Sequence, residues 1–405
     1  MNSFFNIEQF IQQHITRREE SMFSSDLITY QGALNKELNG STVLVIGGAG
    51  TIGISFIKAL LKFEVKSLVV VDTSENGLTE LVRDLRSSED YHLPKDFTTY
   101  PLSYSDRVFE NIFRERKGFD VVANFAAHKH VRSEKDQHSV QAMINNNVIY
   151  AKKLLDLLVE FSPRHFFCVS TDKAANPVNI MGASKKLMED MIMSYSDKIP
   201  VTTARFANVA FSNGSLLFGF IERMFKRQPL SSPTDVKRYF VSPEESGQIC
   251  LLACILGQSG EIFFPKLDRE NHEMTFSDIA ESFLSSLGYE PIYCSNEKAA
   301  RDAAANLDEN MNTYPVFFFE SDTTGEKSFE EFFTDNENVD MDRFSGLGVV
   351  TERETSSVNI NEILDNLNDL FERPVYSKNE VVTILKSYLH NFDHQEKGKY
   401  LDQKM

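Results

Sequence analysis

The segment VLVIGGAGTIG, residues 43–53, constrains this chain more than any other. An unbroken run of Val, Leu and Ile ends on glycine and passes directly into TIGISFIKALLKF, whose apolar spacing is helical. An apolar run with no polar alternation reads as a strand covered on both faces. The pairing then recurs. KSLVVVD is followed by GLTELVRDLRSS, and the later strands FDVVANFAA and HFFCVSTD are separated by helices such as VIYAKKLLDLLVEF and SKKLMEDMIMSY. Strand and helix in alternation specify right-handed crossovers and a doubly wound parallel sheet, so residues 41–204 are expected as an α/β dinucleotide-binding domain.

Residues 1–40 read as a helical arm that packs on the body or on a second subunit. Beyond about residue 205 the elements become shorter and mixed, and residues 205–350 are expected as a smaller α/β substrate region. Within it PVFFFESD reads as a strand and FFTDNENVDMDRF, 332–344, as a solvated loop. Residues 351–405 form a helical tail, with two amphipathic runs separated by Pro374.

Lys and Arg total 42 against 59 Asp and Glu, a net charge of −17. Such a surface repels phosphate backbones and anionic lipid, so no nucleic-acid partner is expected. No apolar run approaches the ~18 residues of a membrane span. The first residues lack the apolar core of a signal peptide, so the expected location is the cytoplasm. Cys250 and Cys254 sit four apart in QICLLACILG, on one face of a buried helix, and with Cys168 and Cys294 they are too few for a disulfide framework.

The glycines follow the spacing Gly47-x-x-Gly50-x-x-Gly53, with Thr51 and Ile52 opening the helix. They allow a tight turn and a close approach of backbone to a pyrophosphate, whose charge lies at a helix N-terminus. Asp72 ends the next strand, nineteen residues after Gly53, where a carboxylate accepts the hydroxyls of an adenosine ribose. A carboxylate there repels a 2′-phosphate, which favours NAD over NADP. Ala126, Ala127, His128 and Lys129 follow a strand that runs into the same cleft. The pair His128 and His130 has no third residue at ligand spacing, so no metal site is expected.

Thr171, Asp172 and Lys173 close a buried strand at its carboxyl end, where open α/β sheets place their ligands. A hydroxyl, a carboxylate and an amine in sequence provide a hydrogen-bond donor, a general acid and a general base. The same residues also fit a helix cap by Asp172 beside a solvated lysine. Met181 and Lys185 lie four apart, on one face of the next helix.

VSTDKAANPVNIMGASKK, with FAAHKHV (125–131), Asn147, RFANV (205–209), NGS (213–215), KRYFVSPEES (237–246) and TGEK (324–327), resembles the core of UDP-N-acetylglucosamine 4,6-dehydratases of the polysaccharide-biosynthesis type. These are extended short-chain dehydrogenases/reductases, and one branch of them carries Met where the superfamily has a catalytic Tyr. The resemblance covers residues 41–350 and implies a Rossmann-type fold, a bound NAD, a UDP-sugar substrate and a homo-oligomer assembled through helices of the dinucleotide domain. By resemblance, Asn147 and Lys185 contact the cofactor, and His128, Lys129, Arg205, Asn208 and Arg238 line the substrate cleft, with Arg238 and Asn208 on the diphosphate. Thr171 polarises the C4 oxygen, Asp172 protonates the leaving C6 hydroxyl and Lys173, as a neutral amine, removes the C5 proton.

A thioether neither gives nor takes a proton, so at Met181 the C4 hydroxyl proton must go to Asp172, to Lys173 or to a water held by Thr171. The product is a 4-keto-6-deoxy sugar with C5 retained, or the inverted sugar, or a 5,6-ene if hydride returns to C4. A C4 epimerase and a non-catalytic dinucleotide sensor remain the competing readings. The chain departs from the common pattern at Ser103, where an Asp is usual, at Arg132, Ser133 and Glu134, and at Tyr150 and Ala151.

Overall fold

In the computed structural model, which describes residues 5–131, 134–268, 272–308, 311–321, 330–353 and 359–394, the apolar runs of the first half lie side by side. Strands β1 (Thr42–Ile46), β2 (Ser67–Asp72), β3 (Asp96–Pro101), β4 (Val121–Asn124), β5 (His165–Val169) and β6 (Val201–Ala204) pair in parallel. Every residue of β4 and β6 is buried, and only Thr42 of β1 and Asp72 of β2 are partly open. Helices cover both faces, as two-sided burial requires.

Among the described residues the range 205–350 adds eight whole strands and most of a ninth: β7 (Asn208–Val209), β8 (Leu230–Pro233), β9 (Lys237–Val241), β10 (Ile262–Pro265), β11 (Glu273–Thr275), β12 (Glu290–Tyr293), β13 (Thr313–Phe319), β14 (Asn338–Asp340) and β15 (Leu347–Glu352). They do not form one separate layer. The large sheet has nine strands in the order β14-β15-β10-β6-β5-β4-β1-β2-β3, so β10, β14 and β15 complete the dinucleotide-domain sheet. Two three-stranded sheets, β11-β9-β7 and β12-β13-β8, make the smaller part. The reading of 332–344 as a solvated loop is corrected here. Phe332 and Phe344 are buried, Asn338–Asp340 pairs with β15, and Glu337 binds a buried arginine.

Helix Thr51–Leu60 packs on helix Pro243–Leu256 so closely that a Cβ on Gly247 would lie 2.1 Å from the Ser55 carbonyl oxygen. The second helix carries Cys250 and Cys254, and eleven of its residues, Glu245 to Ile255, are buried. The N-terminal arm packs on its own body. Phe10 meets Phe211 and Phe283 edge-on, Arg18 pairs with Glu245 at 2.8 Å, and Asp26 accepts from the Ser345 and Gly346 amides.

The tail helices Ile360–Phe371 and Lys378–Tyr388 return to the first domain. Tyr376 donates to Gln141, Lys378 to the Glu134 carbonyl, and Arg353 pairs with Asp190. The tail therefore occupies part of the face presented by helices Gln137–Ile144 and Ile180–Met193. A homo-oligomer built through those helices has to use the surface the tail leaves open. No described helix is long and apolar enough to cross a membrane.

Candidate active site

Strand order reverses between β1 and β4, and the carboxyl ends of the strands open a crevice there. Gly47 leaves β1 at φ 74°, and a Cβ on it would sit 2.5 Å from the Ala126 nitrogen. A Cβ on Gly53 would sit 2.4 Å from the Gly47 carbonyl oxygen. Side chains are thus excluded from both ends of the turn, and helix Thr51–Leu60 begins at its mouth with Gly50 as the cap. A turn of this shape at a helix N-terminus leaves room for backbone to approach an anionic group such as a pyrophosphate. Thr51 is anchored by the Asn213 amide, which donates to its hydroxyl at 2.9 Å, and Ile52 follows it, half-buried. Asp72 is held by the amides of Ala49 at 3.0 Å and Ser74 at 2.8 Å, which fixes its carboxylate beside the turn.

Ala126 and Ala127 form the opposite lip, half-buried after β4. Asn147 does not present its amide to the crevice. It accepts from the His128 nitrogen at 2.8 Å and donates to the His128 carbonyl at 3.1 Å and the Ser184 hydroxyl at 3.1 Å. Both amide hydrogens are thus taken by protein, so Asn147 shapes the chain around His128, and its contact with a cofactor stays an expectation. His128 and Lys129 are exposed at the rim. Among the described residues no group of three or more His, Cys, Asp or Glu is placed to hold a metal ion.

The TDK sequence lies immediately after β5, where a 3-10 turn, Asp172–Ala174, places the side chains together. Thr171 Oγ1 donates to Asp172 Oδ1 at 2.7 Å, and Lys173 Nζ reaches both Asp172 oxygens at 3.1 Å. Asp172 is buried, whereas Lys173 keeps 28% of its side chain exposed. A Cβ on Gly182 would sit 2.6 Å from the Lys173 carbonyl oxygen, so helix Ile180–Met193 lies directly against this turn. That helix carries Met181, 2% exposed, and Lys185, 3% exposed. Lys185 donates to the Val169 carbonyl at 2.8 Å, and burial pulls its ammonium below the ordinary pKa.

A second carboxylate stands beside this group, one that residue patterns did not single out. Glu330 Oε1 is 3.6 Å from Lys173 Nζ, 3.4 Å from Arg238 Nε and 2.7 Å from Asn208 Nδ2, which donates to it. Glu330 is buried, and its Oε2 has no hydrogen-bond partner among the described residues. Burial, then repulsion from Asp172, pushes its carboxyl up to about 7. It lies 157 positions from Lys173 along the chain, in SFEEFF, and its one sequence signal is a carboxylate set among phenylalanines. The neighbouring TGEK, 324–327, and Arg132 and Ser133 lie outside the described residues.

Lys173 is not held as a neutral amine in this arrangement. Burial lowers its pKa, but Asp172 and Glu330 outweigh burial and hold it above the ordinary value. Arg238 and Asn208 join the Lys173 cluster through Glu330, and their role at a diphosphate stays a sequence expectation. Arg205 is corrected outright, because it is fully buried and its guanidinium is spent on protein. It binds Glu189 at 3.1 and 2.6 Å, Glu337 at 2.7 Å twice, and the Phe332 carbonyl at 2.9 Å. No donor is left for a substrate.

Residues 43–352 match the family described as "Polysaccharide biosynthesis protein". The chain is 29% identical over 86% of its length to "Uncharacterized membrane protein MJ1061" of Methanocaldococcus jannaschii, covering 96% of that protein. It is 29% identical over 56% of its length to UDP-glucose 4-epimerase of Rickettsia bellii, covering 66% of it. It is 24% identical over 68% of its length to UDP-N-acetylglucosamine 4,6-dehydratase (inverting) of Campylobacter jejuni, covering 80% of it. Some relatives are longer, and the chain spans about two fifths of their length. Among solved structures it resembles Pen from Bacillus thuringiensis with a TM-score of 0.62 and 18% identity, over 82% of this chain and 98% of that one.

Proposed function

Because the chain belongs to the polysaccharide biosynthesis protein family, we propose that it is an NAD-dependent nucleotide-sugar 4,6-dehydratase that converts UDP-N-acetylglucosamine to a UDP-4-keto-6-deoxy sugar with C5 retained, for bacterial surface glycan synthesis. The supporting observation is the Asp172–Lys173 pair, acid and amine 3.1 Å apart at the mouth of the crevice. Removal of a C5 proton and expulsion of a C6 hydroxyl call for a base and an acid side by side. A 4-epimerase does not need that pair, because epimerisation leaves C5 and C6 untouched.

The Gly47–Gly53 turn, Asp72, Ala126 and Ala127 would hold the dinucleotide, and Lys185 would hold its nicotinamide ribose. When bound, the nicotinamide would supply a reversible two-electron sink for hydride from C4 and back to C6. Thr171 orients the C4 oxygen. Asp172, hydrogen-bonded to Thr171, takes the C4 hydroxyl proton and passes it to the C6 oxygen, which leaves as water. Lys173 removes the C5 proton and returns one to the same face. Protons balance, since the one lost at O4 departs in the water and the one lost at C5 is replaced from the Lys173 ammonium, whose other hydrogens have exchanged with solvent. Met181 then has no proton to carry, which fits its burial.

Incubation of the full chain with UDP-N-acetylglucosamine in heavy water, followed by mass and NMR analysis, tests this. Loss of water with deuterium at C5 is expected. An unchanged mass with inversion at C4 would replace the reading by the epimerase, and a vinylic C6 would replace it by the 5,6-ene product. Cofactor choice has its own test. Asp72→Asn keeps the shape of the residue but removes the charge that repels a 2′-phosphate, so the NAD-over-NADP preference should fall about tenfold or more, equivalent to ~1.4 kcal/mol. Titration of both cofactors by fluorescence checks this, and an unaltered ratio would place Asp72 away from the ribose.

A further inference from the structure

The dehydratase reading leaves one difficulty, and this inference rests on that reading. Lys173 has to be a neutral amine when it meets the C5 proton, yet Asp172 and Glu330 hold it as an ammonium. Asp172 cannot relieve it, because Asp172 already carries the proton between O4 and O6. A third group has to accept the Lys173 proton without letting it escape to water.

We propose that Glu330 is the proton acceptor that sets Lys173 free as a base, a positioning residue acting through the amine rather than on the sugar. Its geometry fits that role in three respects. Glu330 Oε1 lies 3.6 Å from Lys173 Nζ, a separation that a small side-chain shift closes to a hydrogen bond. The carboxylate is buried and its Oε2 has no partner among the described residues, so the ionised form is costly and a proton is welcome. The groups facing it hold it in place without saturating it: Asn208 at 2.7 Å and Arg238 at 3.4 Å share Oε1 with Lys173, and Asp172 opposes its charge from across the amine.

The step balances. The Lys173 ammonium gives one proton to the Glu330 carboxylate, leaving a neutral amine beside a neutral acid. The amine takes the C5 proton as the C6 hydroxyl leaves, and later returns a proton to C5. The acid then gives its proton back to the amine. No electrons move in the exchange, and the cluster ends as it began.

The pair works only while it holds a single proton. Below about pH 7, where Glu330 protonates from solvent, Lys173 loses its acceptor, so turnover should fall on an acid limb with an apparent pKa near 7. In Glu330→Gln that limb should vanish. The amine then loses its proton only to solvent, so the limb should reappear on the alkaline side as the titration of Lys173 itself. At neutral pH kcat should drop about 100-fold or more while KM stays within about threefold. Glu330→Asp should restore part of kcat and bring the limb back toward neutrality.

A structural carboxylate predicts something else: Glu330→Gln within about twofold of the parent in kcat with the acid limb in place, which would overturn the proposal. A misfolded Glu330→Gln is recognised by its melting curve and its NAD titration, and Glu330→Asp then carries the test through the position of its limb. The protonation itself is read without turnover. A protonated-carboxyl infrared band should appear in the parent and not in Glu330→Gln as pH falls from about 8 to 6. Its absence overturns the proposal. A parent enzyme that shows the band but never dehydrates a UDP-sugar instead overturns the dehydratase reading.

Discussion

Lys173→Met is expected to abolish net dehydration while leaving the dinucleotide in place. The substitution keeps length and apolar bulk but removes the amine proposed to take the C5 proton. Kinetic loss from a missing general base is typically about 100- to 10,000-fold, and the upper part of that range applies here because the base is used twice, to remove the proton and to return it. The loss should appear in kcat, with KM little changed, since Lys173 already has two carboxylate neighbours and contributes little to ground-state binding of the sugar. Exchange of the C5 proton with heavy water should stop, whereas NAD should still titrate with its parental affinity. Removing the ammonium also leaves Asp172 and Glu330 facing each other. The simplest relief is a proton on Glu330, so the variant should gain protonated carboxyl at neutral pH. Turnover within about tenfold of the parent, with deuterium still entering C5, would sink the assignment of Lys173 as the base.

The contrast between Lys173 and Glu330 shows what a sequence can carry. Val43–Ile46, Ser67–Asp72 and His165–Val169 announce themselves because a strand covered on both faces has to be apolar throughout. Gly47 and Gly53 announce themselves because backbone lies 2.5 and 2.4 Å from where a side chain would be. Thr171, Asp172 and Lys173 are contiguous, so a single turn presents them together. Glu330 reaches the same place only because the 330–337 segment meets Lys173 after β5, Arg205 after β6 and Arg238 of β9, a long-range event that no local period encodes. Arg205 shows the reverse failure. It follows β6 directly into the region of the cleft, and by resemblance an arginine there reads as a residue lining the substrate site. The carboxylates that claim it, Glu189 and Glu337, are 16 and 132 positions away. The acidic run 332–344 reads as solvated for the same reason, since its charge looks surplus until Arg205 is placed beneath Glu337.

That buried pairing carries the second large effect. In Arg205→Met the Glu337 carboxylate loses its arginine, the buried Glu189 is left with Lys186 at 3.5 Å, and the Phe332 carbonyl loses its donor. Breaking a buried ion pair by removing one partner costs about 3–5 kcal/mol, much more than its net worth, because the surviving charges are stranded. Arg205→Lys should recover only part of this, since one ammonium cannot fill five hydrogen bonds in two planes. The pH dependence fixes the cause. Burial raises the Glu189 carboxyl, but Arg205 and Lys186 outweigh it and hold the pKa at about 2, below the usual 4.5. A depressed carboxyl stabilises the fold above its unfolded pKa and loses that contribution as pH falls through the folded value. In Arg205→Met the buried Glu189 carboxyl loses its largest pKa-lowering partner and protonates more readily, which relieves the strain. The stability gap between parent and variant should therefore be widest near neutrality and narrow as pH drops from about 4.5 toward 2. Urea unfolding across that range reads it directly. Because Glu337 and the Phe332 carbonyl hang from Arg205, loosening them should also free Glu330 from its place beside Lys173, and residual activity should fall further than stability alone accounts for. A gap under about 1 kcal/mol at neutral pH, or one that stays constant with acid, would mean that Arg205 is not the post on which this wall of the site stands.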